Sequence, residues 1–117
     1  MIDWLQVTKG VSAQLRNLRA DAPEVMQAFS SLAQAATVSK ALDAKTKELI
    51  ALGIAVAVRC DDCIAFHVKA ALERGATKDE VTETLGMAIY MGAGPSVMYA
   101  THAVEAYSQF TKTAPAG

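Results

Sequence analysis

The sequence predicts an all-α fold, a compact bundle of about six helices. Apolar residues recur at helical spacing, typical helix starts and ends punctuate the chain, and no stretch sustains the alternation of a β-strand. The 117 residues contain no internal repeat and no linker, so we expect one domain over residues 1–117. Hydrophobic residues make up 52% of the chain, which is high for a small monomer and predicts a homo-oligomer.

The first half of the chain is predicted to form three helices. The first covers about residues 2–18, and Pro23 suits the opening turn of the second, over about residues 23–36, because that turn does not need the amide hydrogen that proline lacks. Asp43 is a residue type favoured as an N-cap and is expected to start the third. Since residues 49–58 are apolar on nearly every side, this helix is expected to be the buried centre.

Two further helices follow. The fourth is predicted to begin near Asp61 and to end with Gly75 as its C-terminal cap. Thr77 and Glu80 have the spacing of a capping box, which opens a fifth helix that continues to Met91.

The segment Gly92-Ala93-Gly94-Pro95 interrupts this helical pattern. Pro95 fits the first turn of a new helix, so the sequence predicts a sixth helix from that point. It is expected to fade after Phe110 into a flexible tail over about residues 112–117.

Charge and hydropathy exclude several classes of partner. The formal charge is -1 and no block of lysine or arginine forms a stripe, so we expect no nucleic-acid partner. The longest strongly apolar stretch, residues 49–58, is too short to cross a bilayer, and the N-terminus lacks the features of a signal peptide. We therefore expect no membrane association and a cytoplasmic location, where a close cysteine pair is catalytic or metal-binding more often than structural.

The segment Cys60-Asp61-Asp62-Cys63 contains both cysteines of the chain, and His67 follows four residues later. On a helix, Cys60, Cys63 and His67 fall within roughly 60° of one another. A thiol attacks as its thiolate, which a helix N-terminus stabilises and nearby carboxylates disfavour. His67 is therefore predicted to serve as the proton acceptor of a redox dithiol.

Glu48 is the predicted partner of His67. A histidine is a better base when another group orients it and balances the charge it acquires. Glu48 lies near the start of the apolar third helix, where an inward carboxylate needs a partner. Antiparallel packing of the third and fourth helices would bring it beside His67.

Other interpretations of these residues stay open. The cysteines could be two small buried apolar residues, or they could bind zinc together with His67 and His102, although a second compact ligand pair is missing. Glu48 could instead pair with a neighbouring lysine in solvent. A cluster of side chains beside the glycine-proline segment is expected in the core, at a subunit interface or along a substrate pocket: Met87, Met91, Met98 and Tyr99.

Glu48, a gap of eleven residues, Cys60-x-x-Cys63 and His67 together resemble the active-site pattern of the alkyl hydroperoxidase D (AhpD)-like core of the carboxymuconolactone decarboxylase superfamily. Three surrounding segments support the resemblance, which covers the expected core over about residues 20–110: Ala65 to Leu72, Gly75-Ala76-Thr77 with Glu80-Val81, and the Gly92-Ala93-Gly94-Pro95 break.

The resemblance implies a helical homo-trimer or homo-hexamer that reduces hydroperoxides through a Cys60–Cys63 disulfide, without a cofactor or a metal. An external dithiol, carried by a lipoyl- or thioredoxin-like protein, would regenerate the thiols. In this cycle Cys63 is expected to be coupled to His67, with Cys60 open to the reductant.

One position departs from the pattern. AhpD itself has a histidine immediately before the second cysteine, where this chain has Asp62. A carboxylate raises a thiol pKa, so the departure predicts weaker peroxidase activity or a different substrate. The alternatives are a decarboxylase acting on a carboxylated lactone, a branch that generally lacks the cysteine pair, and a non-catalytic oligomeric or redox-sensing module.

Overall fold

The computed structural model describes residues 1–113, and within them the chain is entirely helical apart from turns and connections. The predicted all-α class is therefore confirmed. Five helices occupy this range: α1 (Trp4–Asp21), α2 (Pro23–Thr37), α3 (Ala44–Ala57), α4 (Asp61–Glu73) and α5 (Lys78–Thr113). Helix α5 extends two residues into the predicted tail, of which residues 114–117 lie outside the described range.

The prediction of six helices was wrong, because the expected fifth and sixth are one element, α5. The glycine-proline segment produces a kink instead of a connection. Within α5, Ala93 has non-helical dihedral angles, with φ 54° and ψ −140°. Pro95 follows closely, in the first turn after the kink, where its missing amide hydrogen leaves no bond unmade.

Replacing Ala93 by glycine is expected to stabilise the fold. Ala93 has a positive φ, a conformation that glycine adopts freely and that costs other residues of the order of 1–3 kcal/mol. After the entropy cost of glycine, we expect a gain of about 1 kcal/mol and a melting temperature about 4 °C higher in a thermal scan followed by circular dichroism. The matched control is Ala28→Gly on α2, exposed and helical, which should destabilise. A loss of stability in both variants would contradict the strain at Ala93.

A tight connection joins α3 to α4. The amide of Arg59 donates to the carbonyl oxygen of Val56 and that of Cys60 donates to Ala55, at 3.2 and 3.0 Å, which is the pattern of a Schellman motif. Arg59 has φ 63°, the left-handed conformation that such a motif requires. Because α4 begins at Asp61, two residues after Arg59, this turn fixes Cys60 as the N-cap of α4.

Two predicted N-terminal caps are confirmed. Asp43 Oδ1 accepts a hydrogen bond from the amide of Thr46 at 2.8 Å. Thr77 and Glu80 bond reciprocally, each side chain accepting from the other's amide. The Lys45 ammonium lies 2.8 Å from Glu80 and holds the pKa of that carboxyl below its usual range. The ion pair between Lys45 and Glu80 links the start of α3 to the start of α5.

The predicted cap at the end of α4 is also confirmed. Gly75 has φ 85°, and its amide donates to the carbonyl oxygen of Leu72. The amide of Ala76 donates to Ala71, and both of these alanines are buried. The end of α4 is therefore closed by a second Schellman motif.

The core lies where α3, α4 and α5 pack together, with the start of α1 against it. Its largest fully buried apolar side chains are Trp4, Leu52, Val56, Ile64 and Val68. The prediction that α3 is the buried centre holds only for one side of the helix, where Leu52, Ala55 and Val56 are buried. Ile50, Ile54 and Val58 are exposed, because no other segment of the described chain covers that side of the helix.

Helix α2 is also open on its apolar side. Val25, Phe29 and Leu32 are all more than half exposed, and α2 has no buried residue. Among the helices of the described range, α2 packs against its neighbours α1 and α3 and leaves this apolar side uncovered. Within residues 1–113, no helix combines the length and the hydropathy needed to cross a membrane.

Candidate active site

Cys60 and Cys63 form a disulfide at the first turn of α4, with their Cα atoms 5.2 Å apart. Cys60 is the N-cap residue, and its Sγ accepts a hydrogen bond from the amide of Cys63 at 3.2 Å. When the disulfide is reduced, a thiolate at this position would face the unpaired amides and the positive end of the helix dipole. The start of α4 therefore favours the reactive form of the thiol.

The two cysteines are partly exposed, and Cys63 also packs against the core. Ile64, Ala65 and Val68 anchor the inner side of α4 and are almost completely buried. The disulfide is thus accessible on a helix that is held rigidly by its other side.

Glu48 and His67 are in direct contact, as the sequence predicted. His67 Nδ1 lies 2.7 Å from Glu48 Oε2, between α4 and α3. The Glu48 side chain is only 12% exposed, whereas that of His67 is 34% exposed. When Glu48 is ionised it can only accept, so Nδ1 then carries the hydrogen, and Nε2 of a neutral imidazole is left as a proton acceptor.

The alternative partners of Glu48 are engaged elsewhere. Lys45 contacts Glu80, and the Lys47 ammonium donates to the carbonyl oxygen of Val38 at 2.8 Å. Glu48 is therefore oriented toward α4, and the inward carboxylate of α3 has an imidazole as its partner.

A second histidine-carboxylate pair lies at the same end of α4, and the sequence did not predict it. His102 Nδ1, on α5, lies 2.6 Å from Oδ1 of Asp61, the residue directly after Cys60. The two residues are 41 positions apart, so only the packing of α5 against α4 brings them together. No spacing in the sequence signals the contact, because α5 has no motif around His102.

His102 contacts two aromatic rings. Its ring centroid lies 5.5 Å from that of Trp4 and 5.2 Å from that of Tyr99. The indole Nε1 of Trp4 in turn donates to Glu105, one turn further along α5, at 2.9 Å. The imidazole thus has a fixed position from which it contacts the cysteine motif.

Asp62, where the AhpD pattern has a histidine, is exposed. It lines a shallow cleft of about 370 Å³ together with residues of α1: Gly10, Val11, Gln14, Leu15 and Leu18. Asp62 therefore faces α1, whereas Asp61 faces α5.

The geometry gives no support to the zinc interpretation. The two histidines contact different carboxylates, Glu48 and Asp61, and the two cysteines are bonded to each other. Across residues 1–113, no three histidine, cysteine or acidic side chains are grouped so that they could hold a metal ion.

An apolar cleft of about 510 Å³ lies between α3 and α5. Met87 and Met91 line it, with Leu49, Ile50 and Ile54 of α3. Its lining does not include either cysteine or either histidine, so this cleft is separate from the cysteine motif.

Comparison with known proteins gives a consistent assignment. The model of the carboxymuconolactone decarboxylase family matches residues 23–106. The chain is 45% identical to an uncharacterised protein of Cupriavidus necator over 82 residues, 70% of this chain and 73% of that protein. It is 42% identical to an uncharacterised protein of Haemophilus influenzae over 106 residues, 91% and 94% of the two chains.

Solved structures show the same fold. A carboxymuconolactone decarboxylase family protein from Legionella pneumophila is 53% identical, with a TM-score of 0.90 over 92% of this chain and 96% of its own. A family member from Thermotoga maritima, for which a role in the antioxidative response has been suggested, is 27% identical, with a TM-score of 0.82 over 90% of each chain.

Proposed function

This chain belongs to the carboxymuconolactone decarboxylase family, and we propose that it is a thiol-dependent peroxidase that reduces hydroperoxides through Cys60 and Cys63. One observation carries the proposal: the disulfide lies at the start of the same helix from which His67 contacts Glu48. The antioxidative role suggested for the Thermotoga protein supports it.

The carboxylate-imidazole pair is proposed to activate Cys63. Glu48 orients the ring and balances the charge it gains when Nε2 takes a proton, directly or through a water. His67 lies one helical turn beyond Cys63, so Cys63 is the cysteine that it would deprotonate. The base acts on Cys63, the unpaired amides at the start of α4 favour a thiolate at Cys60, and the charges of Asp61 and Asp62 oppose both.

The proposed oxidation proceeds in two steps. The Cys63 thiolate attacks one peroxide oxygen, the S–O bond forms as the O–O bond breaks, and the released alkoxide takes a proton from His67 to leave as an alcohol. Cys60 then attacks the sulfenic acid, and the disulfide forms as water leaves. The peroxide gains two electrons and the two thiols lose two.

Regeneration of the thiols is proposed to use an external dithiol, carried by a lipoyl- or thioredoxin-like protein in the cytoplasm. Its thiolate attacks Cys60, which is partly exposed, and its second thiol resolves the mixed disulfide. Two electrons and two protons return to the pair, so no bound cofactor or metal is required.

The test is consumption of organic hydroperoxide by the protein with dihydrolipoamide or reduced thioredoxin as the electron donor. We expect turnover that depends on the dithiol and stops when the reduced cysteines are alkylated. Turnover of a carboxylated lactone that survives alkylation would contradict the proposal and favour a decarboxylase. Absence of peroxide consumption with every donor would also contradict it.

We further propose that the protein is a homo-trimer or homo-hexamer. Phe29 is 60% exposed, Ile54 57% and Met91 75%, which is unusual for large apolar side chains that remain in water. The radius of gyration, 14.5 Å, is about 1 Å above the roughly 13.4 Å expected for a compact chain of this length, in agreement with helices that pack on other copies.

Replacing Phe29 by glutamate is expected to dissociate the oligomer. The wild type should have three or six times the 12.3 kDa mass of the chain by size exclusion with light scattering. A charge at Phe29 would be buried unpaired at an interface, which costs several kcal/mol, whereas in the isolated chain it is exposed. Gln27→Glu adds the same charge to α2 at a neighbouring position and should leave the mass unchanged. A 12.3 kDa wild type would contradict the oligomer itself.

A further inference from the structure

Asp61 carries a carboxylate in the first turn of α4, and its hydrogen-bond partner comes from a distant part of the chain. Asp61 follows Cys60 directly and lies in the first turn of α4. Its Oδ1 is 2.6 Å from His102 Nδ1, so the imidazole donates a hydrogen bond to it. A carboxylate beside a thiol disfavours the thiolate, and a positive or hydrogen-bonding partner reduces that effect.

We propose that His102, acting through Asp61, is a positioning residue that controls how readily Cys60 forms a thiolate. The inference rests on the proposed redox role of the Cys60–Cys63 pair. Each cysteine would then have its own histidine-carboxylate pair: Glu48 with His67 beside Cys63, and Asp61 with His102 beside Cys60. In the second pair the order is reversed, because the carboxylate belongs to the residue that directly follows Cys60 and the imidazole modulates its charge.

The position of His102 supports this role. Trp4 and Tyr99 flank the ring, and the Trp4 indole is itself held by Glu105. These ring contacts favour the orientation in which the imidazole meets Asp61. At the same time its side chain is 31% exposed and that of Asp61 is 44% exposed, so both remain in contact with solvent protons.

Several charged groups flank the cysteine pair in the sequence or contact residues that do. In the sequence, Arg59 precedes Cys60, and Asp61 and Asp62 follow it. Glu48 and His67 meet between α3 and α4. His102 contacts Asp61 from α5. The residues of α1 that line the cleft with Asp62 are all uncharged. The hydrogen-bond partner of Asp61 lies on α5, whereas Cys63 and His67 lie on α4 and Cys60 is its N-cap.

The test is the thiol titration of the reduced protein, followed by the ultraviolet absorbance of the thiolate with the oxidised protein as the blank. His102→Gln keeps a hydrogen-bond donor but removes the basic group. We expect it to raise the apparent thiol pKa of the pair by about one pH unit and to slow alkylation by iodoacetamide at pH 7 several-fold. Asp61→Asn should shift both readouts in the opposite direction.

A double-variant cycle separates this role from a structural one. If His102 acts through Asp61, His102→Gln should have little effect in the Asp61→Asn background. In the background of Asp62→Asn, the matched control, it should keep its full effect, because Asp62 faces α1. Equal shifts in both backgrounds would overturn the inference, and so would an unchanged thiol titration accompanied by a lower melting temperature.

These measurements use no peroxide, so they distinguish failure of this inference from failure of the proposed function. Peroxide turnover with unaltered thiol titration in His102→Gln would overturn the role of His102 alone. The expected shifts in a protein that consumes no peroxide would overturn the peroxidase and leave His102 as a regulator of a dithiol with another substrate.

Discussion

Replacing Cys63 by serine is expected to lower peroxide turnover by at least about 1,000-fold, because a serine hydroxyl is a far weaker nucleophile and forms no disulfide. The same substitution at Cys60 should behave differently in one respect. If Cys63 attacks the peroxide, Cys60→Ser still forms the sulfenic acid once and consumes about one equivalent of peroxide before it stops. Cys63→Ser should consume none.

The chain offers a clean background for this experiment, since it has two cysteines in all and any thiol signal comes from the pair. The measurement is a rapid-mixing trace of peroxide loss at equal protein concentration, with the Cys60→Ser, Cys63→Ser double variant as the control for reaction elsewhere in the chain. A burst in Cys63→Ser and none in Cys60→Ser would reverse the assignment of the attacking cysteine. Full turnover in both single variants would eliminate the disulfide mechanism.

Much of the cysteine site could be predicted because it depends on local structure. Cys60 is the N-cap of α4, Cys63 lies in its first turn and His67 lies one turn further on, so their phase follows from helical periodicity. Glu48 is on a different helix, but a short turn joins α3 to α4, which leaves antiparallel packing as the simple solution. The contact between Glu48 and His67 is the result.

The pair of Asp61 and His102 could not be predicted in this way. Its two members are joined through the whole of α4, the connection to α5 and the kink at Ala93. The position of His102 depends on the angle of that kink, which one non-helical residue sets. A sequence pattern that breaks at Gly92-Ala93-Gly94-Pro95 indicates an interruption but not its angle.

The exposed side of α3 illustrates a different limit. Its all-round apolar pattern predicts burial, yet Ile50 and Ile54 lie on an open cleft with Met87 and Met91. The hydropathy of a side chain indicates that it is more stable away from water. It does not indicate whether the surface that covers the side chain belongs to the same chain or to another copy. The pattern correctly identifies α3 as apolar, but it does not predict how much of the helix is buried within one chain.

Replacing Glu48 by glutamine is expected to lower kcat/KM for peroxide by about 100-fold near pH 7, the usual contribution of a positioned base. Glutamine can still hydrogen-bond to His67 but does not balance the charge that the ring acquires. The deficit should shrink as the pH rises, because a thiol with an ordinary pKa near ~8.5 ionises without a base. The measurement is the pH profile of kcat/KM for wild type and variant over the same range.

His67→Gln should give a similar loss, and the double variant should lose little more than either single one, since Glu48 and His67 are proposed to act as one unit. Glu73→Gln is the matched control: Glu73 is the last residue of α4, is exposed, and contacts Lys69 at 3.7 Å, so its substitution should leave the profile unchanged. Losses that multiply in the double variant would show that the two residues contribute independently. A Glu48→Gln profile that stays about 100-fold low at every pH would point to misplacement of the ring instead of lost proton transfer, because misplacement does not depend on how the thiolate is formed.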